Sequence, residues 1–307
     1  MNTKNAGLIF VLSILIGFSV FAQQRPDLSF DPDIPNPAYD LGQGSIIHID
    51  EGHYNFHTKE GRYKPFSILL ERDGYVVESR KGEFTPESLF ECKILVIANA
   101  VNEINADPRD WVLPNPSAFT EAEIQTLKNW VRDGGSLFLI ADHMPWPGAA
   151  EALSLAFGFK FINGFNICIR NPAYFWRSNA TIEDNIVTNG RSEEERINRI
   201  PMAEGQAFHI PAEAKSILTF GNDGMILLPE RAWEFDSETP LRNIEGLSQG
   251  AFMRFGKGRL VVFGEASIFT VQLGTPGDRK MGMNRFDAGD NYKLLLNIIH
   301  YLDGIID

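Results

Sequence analysis

Cysteine is almost absent: Cys92 and Cys168 are the only two in 307 residues, and they form neither a CxxC pair nor a zinc-type spacing. That scarcity excludes a disulfide scaffold, a thioredoxin-like redox motif and a thiolate-built zinc site. A single bridge between them stays open, but two buried free thiols is the expectation adopted, because free cysteine is among the most buried residue types. Positive charge is short as well. Lys and Arg number 28 against 40 Asp and Glu, leaving −12, so no nucleic-acid partner is expected. Long apolar runs are missing except at the start, where Lys4 precedes Gly7 to Phe21 and Val20-Phe21-Ala22 resembles a cleavage site. About 15 apolar residues fall short of the ~20 a membrane span needs. Residues 1–22 therefore read as a secretory signal peptide, and the mature chain as periplasmic or secreted, with no membrane partner after its removal.

Catalytic signatures are also wanting. The chain has no GxSxG elbow, HExxH, P-loop or GxGxxG, and Gly134-Gly135 and Gly256-Lys257-Gly258 read as turns. Repeats and low-complexity tracts are lacking too. What remains is an ordinary globular composition, 44% apolar and 22% charged, enough for a sizeable core.

Prolines at 26, 32, 35 and 37 make residues 23–43 an extended arm. From residue 44, strands and helices alternate. Ser45 to Ile49 reads as a strand, Tyr63 to Arg72 as a helix, Tyr75 to Glu78 as a second strand, and Thr85-Pro86-Glu87 as the start of a short helix. Ile94-Leu95-Val96-Ile97 is continuously apolar, as in a strand buried on both faces. Thr120 to Glu123 is a capping box opening a helix that ends at Gly134. Ser136 to Ala141 is a strand, Pro147 to Phe157 a helix, residues 249–264 a hairpin, and Asn291 to Leu302 a closing amphipathic helix. Such alternation implies α/β architecture on a mostly parallel sheet with helices on both faces. Residues 163–245 break the pattern and read as an irregular insertion, with Arg191 to Arg199 as a solvated helix face.

In open parallel sheets, ligands bind beyond the carboxyl ends of the strands. Four such ends carry polar groups: Asp50, Glu51, His53, Asn55 and His57 after the first, Asn99 after the third, Asp142 and His143 after the fourth, Glu265 after the last. In an extended His53-Tyr54-Asn55-Phe56-His57, the three polar side chains share one side. His53, His57, Asp142, His143 and Glu265 are the catalytic candidates. Glu51, Asn55, Asn99, Trp146, Arg170, Trp176 and Arg177 are candidates for holding substrate. The two arginines suit a carboxylate or sulfate, and Tyr174, Phe175 and Trp176 either stack on a sugar or anchor the insertion. No cofactor is expected; a divalent metal on the histidines and Asp142 is the lesser reading.

Ile94 through Asn99, Leu127 through Gly135, and Leu139-Ile140-Ala141-Asp142-His143 with the helix after it carry a resemblance. The chain resembles the class I glutamine-amidotransferase-like superfamily, and within it the uncharacterised and trehalose-utilisation-like branches, over about half of the mature chain. The resemblance implies a flavodoxin-like domain over residues 44–307, with the 163–245 insertion as lid or cleft wall. It places the family's nucleophilic cysteine at Asp142 or His143, so no glutaminase activity is expected. The resulting expectation is a carbohydrate-active enzyme working on an acidic oligosaccharide, a lyase or dehydratase in polysaccharide degradation. His143 and His53 would exchange protons, with His57 and Glu265 in support. A hydrolase built on Asp142 and Glu265 is the first alternative. A non-catalytic periplasmic sugar-binding protein is the second.

Overall fold

The structure, a computed structural model, describes residues 24–168 and 174–307. The leader expected over 1–22 and Arg170 lie outside the described residues. Among the described residues, the centre is a nine-stranded sheet of β1 (Ile46–Asp50), β2 (Val76–Arg80), β3 (Ile94–Ala98), β4 (Ser136–Ile140), β5 (Lys160–Phe161), β6 (Phe208–His209), β7 (Lys215–Thr219), β8 (Ser248–Phe255) and β9 (Gly258–Phe263). The order is β2-β1-β3-β4-β9-β8-β6-β5, with β7 also paired to β8. From β2 to β9 neighbours run parallel, and from β8 outward each pairing is antiparallel. The fold is mixed α/β on a large, mostly parallel sheet.

The apolar runs explain the central strands. All five residues of β3 and of β4 are buried, and successive side chains enter different cores. Ile94, Val96, Phe138, Ile140, Val261 and Phe263 join a cluster that includes α1 (Lys64–Arg72) and α5 (Asn291–Asp303). Leu95, Ile97, Leu137, Leu139, Leu260 and Val262 join a second cluster with α2 (Glu121–Asp133) and α3 (Trp146–Ala156). Each such side chain withdrawn from water contributes ~1.5–3 kcal/mol.

Turns fix the connections. In α2, the Thr120 hydroxyl accepts from the Glu123 N–H at 3.2 Å while Glu123 accepts from the Thr120 N–H at 2.9 Å, so the capping box forms. Gly256, φ +60°, turns the chain from β8 into β9, and a Cβ there would meet the Arg132 carbonyl at 2.4 Å. Only glycine fits that position.

The insertion is more regular than its sequence. It supplies β6 and β7, a three-stranded sheet of Phe165–Cys168, Gly224–Leu227 and Leu241–Asn243, the strand pair Tyr174–Trp176 and Arg199–Pro201, and the single-turn helix α4 (Ile186–Asn189). Strands of two to five residues are too short to print an alternation. The stretch expected as a helix face over Arg191 to Arg199 is instead a 3₁₀ turn, Glu193–Glu195, tied by the Arg191–Glu195 and Arg196–Glu193 ion pairs. The arm begins as a strand: Gln24–Pro26 pairs with Val271–Gly274. It then docks its Ala38 N–H on Asp73 at 2.8 Å and the Tyr39 hydroxyl on Asp303 at 2.5 Å.

Candidate functional site

Four adjacent strands, β1, β3, β4 and β9, end at one edge of the sheet, and each hands a polar residue to it. Asn99 follows β3 with φ +53°, a left-handed conformation that asparagine tolerates better than most residues. Its Oδ1 accepts from the Asp142 N–H at 3.0 Å, while its buried Nδ2 has no hydrogen-bond partner. Asp142 accepts from the His143 N–H at 2.7 Å and, through its other oxygen, from the Ala266 N–H at 3.2 Å. The turn after β4 is thereby bonded to the turn after β9.

Glu265 is buried, accepting from the Ser267 N–H at 2.6 Å and the Gly205 N–H at 2.8 Å. Burial pushes its carboxyl well above the usual carboxylate range, and the negative charges of Asp142 and Glu204 push it the same way. The shift favours the protonated acid beside a second carboxyl group. The hydroxyl of Tyr63 is buried without a partner, and its pKa is raised by burial, then by the charges of Asp142 and Glu265.

His143 bonds through Nδ1 to the Met144 carbonyl at 2.7 Å. A carbonyl only accepts, so the proton sits on Nδ1 and Nε2 is left bare. Burial lowers the imidazole below its ordinary value against the pull of Asp142, giving a neutral ring with a basic nitrogen. Aromatic faces enclose it: Phe165 stacks at 4.3 Å, with Trp146 at 4.6 Å and Trp233 at 4.7 Å. His57 is buried against Tyr63 with ring centroids at 4.6 Å, and its Nδ1 has no partner. Burial lowers its pKa far down, helped by the charge of Arg62.

His53 does not join them. Its Nδ1 bonds Asp50 at 2.9 Å and its Nε2 bonds Glu123 at 2.9 Å, with Phe84 and Phe119 packed on the ring. Both nitrogens are spent within the protein, so the acid–base role expected of His53 is corrected to that of a buried clamp. The 53–57 segment is not extended either. Tyr54 takes φ +48° and is exposed, while the Asn55 side chain folds back on Asp50 at 2.9 Å and on the His53 N–H at 3.0 Å. Glu51 is likewise a fastener, accepting from the Lys59 N–H and the Ser79 hydroxyl, each at 2.8 Å.

In the insertion, the guanidinium of Arg177 is used up on the carbonyls of Ile197 and Thr188 and on Asp184, which corrects its expected part in holding an anion. Trp176 packs at a tilt against Tyr174, ring centroids 5.5 Å apart, and lies under Arg199 within the same strand pair. The thiol of Cys92 is free and buried, and burial pushes it up to about 12. Among the described residues, no group of three or more His, Cys, Asp or Glu is arranged to hold a metal, and no helix is long and apolar enough to cross a membrane.

Tyr63, Glu204 and Trp233 belong to the site and were not among the sequence candidates. Tyr63 was reachable, since it opens α1 just beyond the loop after β1, where helix N-termini converge. Trp233 left no signal. It sits in the insertion with φ +68°, about half exposed at 48% and in edge contact with both His143 and Phe165.

The fold has counterparts among solved structures. The N-terminal domain of mmIFT52 superposes with a TM-score of 0.59 at 15% identity, over 84% of this chain and 97% of that one. The cytoplasmic protein STM1381 from Salmonella typhimurium LT2 gives 0.50 at 13% identity, over 84% and 99%. A ThuA-like protein from Bacteroides uniformis ATCC 8492 gives 0.46 at 12% identity, over 89% and 94%. No protein-family model and no curated protein matches the chain. These likenesses concern the fold alone.

Proposed function

We propose that the chain is an exported carbohydrate-active enzyme, a carbon–oxygen lyase or dehydratase acting on an acidic oligosaccharide. Its domain is read as flavodoxin-like, helices covering both sheet faces, within the class I glutamine-amidotransferase-like superfamily. The two separate cores on alternate strand residues support that layering. The observation that carries the chemistry is the placement of Glu265 and His143 at the ends of neighbouring strands whose turns Asp142 bonds together, with burial pushing the first pKa up and the second down.

Elimination needs such a pair. His143 Nε2 takes the proton on the carbon next to the sugar carboxylate, the electrons form a ring double bond, and the bond to the glycosidic oxygen breaks. Glu265 gives that oxygen its proton. Water then returns a proton to Glu265 and removes one from His143, so the enzyme is restored. Trp233, about half exposed, presents a face for a sugar ring.

The closest competing reading is glycoside hydrolysis by Asp142 and Glu265, favoured by the effect of one carboxylate on the other. Incubation with uronic-acid oligosaccharides separates the two: elimination raises ultraviolet absorbance from the new double bond, whereas hydrolysis releases reducing ends without it. Absorbance that grows with the native enzyme and fails with Glu265→Gln or His143→Ala supports the lyase. Neither product, with sugar still bound, would leave a binding protein.

A further inference from the structure

Arg62 precedes Tyr63 in the chain, and among the described residues no carboxylate pairs with it. Its Cζ stands 4.2 Å over the ring of Phe56, whose neighbours are His57 at 5.5 Å and Trp146 at 5.2 Å. Its positive charge reaches His57 strongly enough to depress that imidazole. Nη1 donates to the side-chain carbonyls of Gln24 and Gln272. Both are neutral acceptors, and among the described residues Arg62 makes no ion pair. Nε and Nη2 have no acceptor among the described residues, and the residue as a whole is partly exposed. Burial alone presses on the guanidinium, with no carboxylate opposing it.

A largely desolvated cation is costly unless it is paired, and here the described residues supply two amide oxygens. The engaged atom, Nη1, leaves the Nε–Nη2 edge, which is one of the two edges a guanidinium offers to a planar pair of oxygens. Stacking on Phe56 and the two glutamines fix the plane of that edge. By contrast, Arg177 has every nitrogen occupied by its own chain.

We propose that Arg62 is the anion-recognition residue of this site, its Nε–Nη2 edge binding a carboxylate or sulfate borne by a sugar. The assignment rests on the reading above and deepens it by naming the group recognised; Arg62 positions and selects substrate, while proton transfer stays with His143 and Glu265. Lysine in its place keeps the charge and loses the fork.

The test is binding, so it stands whether or not turnover is found. Glu265→Gln protein, with Arg62 intact or changed to Gln or Lys, is applied to an array of uronic-acid oligosaccharides, their carboxyl-reduced counterparts and 6-O-sulfated neutral analogues. Circular dichroism and melting temperature accompany each variant. With Arg62 present, uronates or sulfates bind at least tenfold above the reduced sugars, and whichever arm binds identifies the anion. Arg62→Gln brings that preference close to one with binding of the neutral sugars unchanged, and Arg62→Lys recovers it in part. The assignment is overturned by a preference that survives Arg62→Gln, by equal loss on acidic and neutral sugars in a variant that melts normally, or by no sugar binding. If Arg62→Gln fails to fold, the Arg62→Lys comparison decides alone: a full preference retained without the fork overturns the assignment, and a reduced one supports it.

Discussion

His53 shows how residue type and residue role come apart. An imidazole in a strand-end loop reads as an acid–base group, yet this one lies between Asp50 and Glu123 with both nitrogens bonded. Burial opposes its charge, and the two carboxylates more than offset that, raising its pKa above the ordinary value. The sign of the pH effect follows. A raised folded-state pKa gives stability that is fully present below about pH 6.5 and is lost as the pH climbs through the folded value. Removing the ring leaves two buried carboxylates uncompensated, so His53→Ala should cost about 3–5 kcal/mol, read from denaturant midpoints, with the gap to the native protein narrowing as pH rises. A gap that widens with pH would contradict the clamp. His143 and Glu265 make the opposite kind of prediction, about rate. His143 is held low and Glu265 high, so kcat/KM on a cleavable uronate should fall on the acid side as His143 gains a proton and on the alkaline side as Glu265 loses one. Glu265→Gln should lower kcat by about 10²–10⁴. A pH-independent rate would remove these two groups from the chemistry.

At the scale of elements, the site depends on turns that hold two strand ends together. Gly205 is the tightest of them: a Cβ there would lie 2.0 Å from the Gly264 carbonyl and 3.0 Å from the Glu265 Cβ. Gly205→Ala should therefore push the turn after β9 away, costing about 1–3 kcal/mol by overpacking and reducing activity more than any stability loss explains, as judged by kcat at a temperature where the variant is fully folded. The helix α2 is held at its start by the Thr120 and Glu123 box, and Glu123 also accepts from His53 and from the Phe84 N–H at 3.1 Å. Thr120→Ala should lose about 0.5–2 kcal/mol in equilibrium unfolding. Elements with strong local signals were legible: the capping box, the runs of β3 and β4, and the hairpin of β8 and β9. The strands of the insertion were not, because two to five residues without a clear alternation resemble any loop, and the ladders that define them come from distant segments such as Phe165–Cys168 with Gly224–Leu227.

Over the whole molecule, the N-terminal arm links parts that are far apart in the chain. It pairs with Val271–Gly274, bonds Asp73 and Asp303, and forms an Arg72–Asp31 ion pair at 2.9 Å. Beneath it, Asp73 meets His300 at 2.7 Å, both fully buried. Starting the chain at residue 43 would uncover that pair and take Gln24 from Arg62. A lower melting temperature is expected, by ~2–4 °C for each kcal/mol lost, together with a looser preference for acidic sugars. An unchanged melting temperature would mean that the arm rests on the domain without holding it.

By itself the sequence determined the elements whose causes are local: apolar runs buried on two faces, a reciprocal cap, turn glycines, and polar residues just past four strand ends. It also placed Asp142, His143 and Glu265 on the same edge, because parallel topology sends every such end one way. Only the tertiary structure decided which polar groups are spent and which are unspent. His53, Glu51 and Arg177 are consumed by partners further along the chain such as Glu123, Ser79 and Ile197, whereas Tyr63 and Asn99 keep unsatisfied donors and Arg62 has no ion-pair partner among the described residues. Hydrogen-bond saturation depends on what approaches through space, and spacing along the chain carries no record of that.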